Sequence, residues 1–289
     1  MMTKQITVCI YTYKGKQIKD VLTSLFSNAN DVSKINVLLI DQNPIDRKKA
    51  LANEFDINYI HVFWDSLYGP CFHKSVAINN SESEYFMLLG ENSILYKDWD
   101  INFINFLENK NAVLSDNKKI KIKSKNIFYI EKEYEESNNF ELNNFISRDF
   151  IFAKTETIKK INYPDYLKYN GEEESLSLQF FTEGIDIYSI PTNMLHCNQD
   201  KPITNTYTPF SLNHEYNEIV ALFKFGQNKY INIKNKNRTL LDFSKYHNFD
   251  FTSLCYLPFQ TNDISYDPDQ LNFNQIDARK FVARTKAIH

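Results

Sequence analysis

Tyr68-Gly69-Pro70-Cys71, a helix-like run to Asn79, then Glu84-Tyr85-Phe86-Met87-Leu88-Leu89-Gly90-Glu91-Asn92 and, a few residues on, Asp98-Trp99-Asp100: this stretch decides the fold. Pro70 suits the first turn of a helix, where its missing N–H removes no hydrogen bond. Tyr85–Leu89 is a continuous apolar run, as in a strand buried on both faces. It stops abruptly in an acid and an amide. An open α/β sheet presents a polar site in this way, at the carboxyl edge of a strand.

Working outward, the same alternation continues. Ile6–Tyr11, Val37–Ile40, Ile57–Val62 and Ala112–Ser115 are apolar and strand-like. Lys16–Asn28 has helical spacing at Ile18, Val21, Leu22, Leu25 and Phe26, and Ile45–Phe55 is a second helix. Trp99–Glu108 is an amphipathic helix expected to turn Ile101, Ile104, Phe106 and Leu107 inward. Strands alternating with helices predict a mostly parallel sheet with helices on both faces. Beyond Asp116 the chain becomes rich in Lys, Asn and Glu, with a strand candidate at Asn126–Ile130. Lys118, Lys119, Lys121, Lys123 and Lys125 form a basic edge there, either an exposed hairpin or a phosphate-binding surface. Phe150–Ala153 and Ile185–Ile190 resume as strands around a helix at Glu172–Phe181. Leu212–Phe225, Thr239–Tyr246 and Ile276–Arg284 complete the helix candidates. No internal repeat is present.

Composition bounds the function. The 289 residues have near-average hydrophobic (43%) and charged (24%) content, enough for one large core. Six glycines, with no G-x-G-x-x-G or Walker A pattern, argue against a dinucleotide fingerprint or P-loop. A net charge of −3 gives no global field for nucleic acid. Basic residues are mostly Lys, and Asn and Ile are abundant, as in an AT-rich genome. Cys9, Cys71, Cys197 and Cys255 form no C-x-x-C pair and suit free thiols. No apolar run reaches membrane-spanning length and no signal-like segment leads the chain, so a cytoplasmic protein is expected.

In order, Ile10-Tyr11-Thr12-Tyr13-Lys14, Asp41-Gln42-Asn43, Gly69-Pro70-Cys71, Glu84-Tyr85-Phe86, Trp99-Asp100, Val113-Leu114-Ser115, Gly171-Glu172-Glu173, Phe181-Thr182-Glu183-Gly184 and His196 resemble the polypeptide α-N-acetylglucosaminyltransferases. That is the GlcNAc glycosyltransferase family, of GT-A fold, and the resemblance covers residues 6–200. It departs in three places. The family's Asp-x-His falls on Gly90-Glu91-Asn92, its Arg after the Gly-Pro-Cys start is Lys74, and an Arg of the later helix is Gln179.

The resemblance implies an α/β GT-A-like domain, taken here as residues 1–200; the looser pattern beyond it is expected to form a smaller mixed C-terminal extension at 201–289 that binds the acceptor. It implies a nucleotide sugar, a UDP-hexose or UDP-N-acetylhexosamine, as donor and retention at the anomeric carbon. A divalent cation, Mn²⁺ or Mg²⁺, would act as a Lewis acid on the departing diphosphate. Glu91, Asn92 and His196 would hold it. Tyr11, Thr12, Lys14, Asp41 and Lys74 would contact the nucleotide. Glu172 and Glu173 would face the sugar or the acceptor. The resemblance implies a protein hydroxyl as acceptor, while the AT-rich composition and compact length equally suit a phage enzyme expected to act on hydroxymethylated pyrimidine in DNA. A catalytically silent nucleotide- or glycan-binding module is the alternative.

Overall fold

The computed structural model describes residues 5–15, 17–63, 69–116, 119–122, 132–135, 138–143, 145–167, 171–197, 218–219, 221–223, 225–234 and 236–246. The candidates at Asn126–Ile130 and Ile276–Arg284 lie outside these residues, as do Lys118, Lys123, Lys125, Cys255 and the first part of Leu212–Phe225.

Among the described residues twelve strands are present: β1 (Ile6–Tyr13), β2 (Ile35–Gln42), β3 (Asn58–Val62), β4 (Tyr85–Gly90), β5 (Ser93–Leu95), β6 (Ala112–Ser115), β7 (Lys119–Ile122), β8 (Lys132–Glu135), β9 (Glu141–Leu142), β10 (Phe150–Lys154), β11 (Asp186–Ser189) and β12 (Leu195–Cys197). The helices are α1 (Ile18–Ser27), α2 (Lys48–Ala52), α3 (Pro70–Asn80), α4 (Trp99–Leu107), α5 (Thr155–Ile158), α6 (Glu172–Thr182) and α7 (Leu240–Tyr246), with a 3₁₀ turn at Val32–Lys34.

Eight strands form one sheet in the order β3-β2-β1-β4-β10-β6-β11-β9. Strands β3, β2, β1 and β4 are mutually parallel, and so are β6 and β11. Strand β10 runs antiparallel between β4 and β6, so β4 and β6 still point the same way. The carboxyl ends of β1, β2, β4, β6 and β11 therefore share one edge. That is where α/β sheets of this kind build sites.

Alternate residues of each strand feed two cores. Val8 and Ile10 of β1 and Met87 and Leu89 of β4 pack with α1 and α4. Cys9 of β1, Phe86 and Leu88 of β4 and Ile151 of β10 pack with α3 and α6. Ile219, Leu222, Phe223 and Phe243 join this second core. Helix α6 is consequently enclosed on all sides, and every one of its residues is buried.

One packing expectation changes. In α4 the core residues are Trp99, Phe103 and Leu107, while Ile101 is exposed and Ile104 and Phe106 are half-buried. The indole Nε1 of Trp99 donates to the Leu25 carbonyl at 3.0 Å, which fixes the helix rotation about Trp99 and turns Ile101 outward.

Candidate functional site

The edge is built from strand ends inward. Strand β4 runs out at Gly90, and the next residue, Glu91, folds its carboxylate back over β1. It accepts from the Thr12 hydroxyl and from the Tyr13 amide at 3.0 Å. Burial pushes the Glu91 carboxyl above its ordinary range, and the Thr12 and Tyr13 donors pull it back only in part. The two side chains also occupy the space where a Cβ on Gly15 would stand, so Gly15 has to be glycine for the loop to close on them. Between them Lys14 adopts a left-handed backbone (φ 54), uncommon for a side chain of its size. Its amide donates to Gln42 at 3.0 Å, and its ammonium lies 5.0 Å from the centre of the Tyr13 ring.

At the end of β2, Asp41 is fully buried and saturated by neighbours. Arg47 grips it in a two-point pair at 2.8 and 2.6 Å, and the Tyr59 hydroxyl donates to it at 2.7 Å. The third arm of Arg47 donates to the Gly15 carbonyl at 2.6 Å, tying the β1 loop to β2. The hydrogen bond to Asp41 holds the Arg47 guanidinium even more firmly charged than usual. Arg47 is not among the residues expected from the sequence. Its signal was there: one of five arginines, six residues after a strand-end aspartate.

A second cluster lies on the α3–α6 face. The Lys74 ammonium, from α3, is buried and donates to Glu172 at 2.8 Å and to the Arg148 carbonyl at 3.0 Å. The Tyr163 hydroxyl donates to the same Glu172 oxygen. Burial pulls Lys74 down, but the neighbouring groups, Glu172 foremost, together more than offset it and the ammonium is favoured. Burial, then the Glu172 charge, pushes the Tyr163 hydroxyl well up. Glu173, next along α6, accepts from the Arg148 amide at 3.0 Å. Lys74, Glu172 and Glu173 are thus brought together; Lys74 and Glu173 bond the Arg148 backbone just before β10, and Glu172 holds Lys74.

Nearby, Tyr11 stacks on His73 with ring centroids 5.9 Å apart, and its hydroxyl donates to Gln42. His73 Nε2 is buried without a hydrogen-bond partner. Burial pulls this imidazole below its ordinary range.

The residues implied for a cation are placed differently. Position 90 has no side chain, and a Cβ there would come within 2.9 Å of the Asp149 carbonyl and 3.2 Å of the Asp149 Cβ. The Glu91 carboxylate is engaged with Thr12 and Tyr13. Asn92 lies half-buried in the turn between β4 and β5. His196 is exposed on β12, opposite Ile94 of β5. Among the described residues no group of three or more His, Cys, Asp or Glu side chains is close enough to hold an ion. This donor set does not fit the three-ligand cation site that the resemblance implies.

A surface hollow of about 550 Å³, lined in part by Phe181, Asp186, Arg238 and Tyr246, lies beside the start of β11, at the opposite edge of the sheet. It is separate from the strand-end cluster.

A mostly parallel sheet with an antiparallel β10, and with polar side chains gathered at the carboxyl ends of β1, β2 and β4, defines a GT-A-like glycosyltransferase fold. Residues 110–204, about a third of the chain, match the family model described as Glycosyltransferase (GlcNAc). The structure is similar to that of S. aureus TarS, at 15% identity and a TM-score of 0.57, over 89% of this chain and 44% of that one. It is also similar to S. aureus TarS 1-349 in complex with UDP-GlcNAc, at 14% identity and a TM-score of 0.54, over 83% and 70% of the two chains. The chain thus spans less than half the length of the first TarS structure. At these identities the likeness is one of fold. No curated protein matches the chain. The family match and the shared fold together support a glycosyltransferase. Among the described residues no helix is long and apolar enough to cross a membrane.

Proposed function

We propose that the chain transfers a hexose or N-acetylhexosamine from a nucleotide sugar, with UDP as the nucleotide, to a hydroxyl acceptor. The observation that carries this reading is the tied strand-end cluster, Thr12–Gly15 with Glu91 and the Asp41–Arg47 pair. It occupies the carboxyl edge of a fold shared with a protein seen in complex with UDP-GlcNAc.

The parts divide as follows. Tyr11, already stacked on His73, offers an aromatic surface beside the β1 end for a pyrimidine. Lys14 places a cation at the strand end, where a diphosphate would lie. Arg47 ties the loop that carries Lys14 to Asp41, so Asp41 acts by shaping the site. Lys74 and Glu172 act in the same way on the β10 side. Transfer of this kind draws on orientation and on preorganised charge more than on a strong base. Thr12 positions Glu91. Glu173, at the start of α6, is the carboxylate we assign to the acceptor side.

The test is calorimetric titration of UDP and of UDP-sugars, followed by assays for UDP release with hydroxylated peptides and with DNA containing hydroxymethylated pyrimidine. Turnover with one acceptor class identifies it, and NMR of the product gives the anomeric outcome. Nucleotide-sugar binding with no turnover on any acceptor assigns the chain instead as a silent binding module. No binding of any nucleotide sugar ends the reading.

A further inference from the structure

Gly90 and Asp149 are cross-strand neighbours one step beyond the last registered pair of β4 and β10, Leu89 with Phe150. The Gly90 amide donates to the Asp149 carbonyl at 2.6 Å, and the Asp149 Cβ stands 3.2 Å from where a Gly90 Cβ would be. Asp149 therefore offers a carboxylate at the place, one strand over, where a side chain at position 90 would have emerged.

Four hydrogen bonds fix the backbone that presents it. Lys74 donates to the Arg148 carbonyl, and Glu173 accepts the Arg148 amide. Gly90 donates to the Asp149 carbonyl, and the Asp149 amide donates to the Ser147 hydroxyl at 3.2 Å. Two of these anchors are buried charged side chains. What they hold is a side chain 54% exposed, whose charged neighbour Arg148 stays 3.8 Å away, an ion pair that holds the carboxylate weakly. Buried charge of this kind is costly, and here its effect is to position one accessible carboxylate.

We infer that Asp149 accepts hydrogen bonds from the hydroxyls of the donor sugar. A carboxylate repels a diphosphate but is a strong acceptor for hydroxyl donors. Strand β10 lies two positions from β1 in the sheet. At about 4.8 Å per strand, Asp149 stands roughly 10 Å from the β1 end where Lys14 would meet the diphosphate. That span suits a hexose laid across β4, over the side-chain-free Gly90.

The inference rests on the transferase reading, and the experiment separates the two. UDP, UDP-GlcNAc and UDP-glucose are titrated calorimetrically against wild type, Asp149→Ala and Asp149→Asn, with thermal melts confirming that each variant is folded. Both variants are expected to bind UDP within about twofold of wild type. Asp149→Ala is expected to bind the UDP-sugar that wild type prefers about tenfold or more weakly, as suits the loss of a hydrogen bond to a charged group. Asp149→Asn, which keeps one acceptor oxygen, is expected to fall between. An equal loss for UDP and UDP-sugar places Asp149 on the nucleotide or its counter-ion and overturns the inference. Unchanged affinity for both overturns it too. A wild-type protein that binds no nucleotide sugar removes the transferase reading, and the inference with it.

Discussion

Lys74 of α3 and Glu172 of α6 form an ion pair at 2.8 Å in which both side chains are almost wholly buried. Removing one partner strands the other charge away from water. Lys74→Met is expected to cost about 3–5 kcal/mol of stability, read from urea unfolding. Lys74→Met combined with Glu172→Leu should recover much of that loss. A single variant as stable as wild type would show that the pair contributes nothing to the packing of α3 against α6.

Glu91 is a latch on the β1 end. Glu91→Ala leaves the Thr12 hydroxyl and Tyr13 amide without their acceptor and is expected to cost about 1–3 kcal/mol of stability. UDP affinity should fall with it, by a similar factor in Mn²⁺ and in EDTA, because the loss is one of loop shape. Glu91→Gln keeps an acceptor oxygen and should retain most of the binding. A loss seen only in Mn²⁺ would make Glu91 a cation ligand instead.

Gly90 is expected to tolerate no side chain. Its Cβ would press on the Asp149 carbonyl, which β4 itself holds in place, so the neighbour cannot step aside. Gly90→Ala should destabilise by about 1–3 kcal/mol, and Gly90→Asp by more. An aspartate placed at position 90 should therefore weaken the fold and leave UDP-sugar binding no tighter.

His73 gives the protein an acid-side weakness. Burial lowers its native pKa below the ordinary 6.5, so the unfolded chain takes up the proton more readily. Its contribution to stability is complete above about pH 6.5 and is lost as the pH falls through the lowered native value. His73→Phe keeps a ring against Tyr11 and removes the titration. Melting temperature between pH 5 and 6.5 should fall less steeply in this variant than in wild type, and identical slopes would refute the assignment.

The cysteines should differ sharply in reactivity. Cys9 is buried, and burial pushes its thiol up to about 12; Cys71 is buried as well. Cys197 is half-buried at the end of β12. Iodoacetamide on the native protein, read by peptide mass spectrometry, is expected to modify Cys197 well before Cys9 or Cys71.

The parallel half of the sheet was legible because β1, β2 and β4 are mainly apolar runs that end in turn residues. Tyr85–Leu89 is the clearest case, since burial on both faces leaves no polar residue inside it. The site was legible only in part. Lys74, Glu172 and Glu173 were expected to meet the ligand or the acceptor; Lys74 and Glu172 instead pair with each other and hold the segment before β10. Asp149 went unnoticed because nothing in Ser147-Arg148-Asp149 marks it locally. Its importance comes from lying opposite Gly90, 59 residues earlier in the chain.

From the sequence alone come the alternation of strand and helix, the helix start at Pro70, and the edge at Gly90-Glu91-Asn92, since periodicity and turn chemistry act over a few residues. Which carboxylates are latches, which are ion-pair anchors and which faces solvent was decided by the tertiary structure. Those roles depend on burial and on partners 25 to 98 residues apart, and long-range strand pairing and helix packing set both.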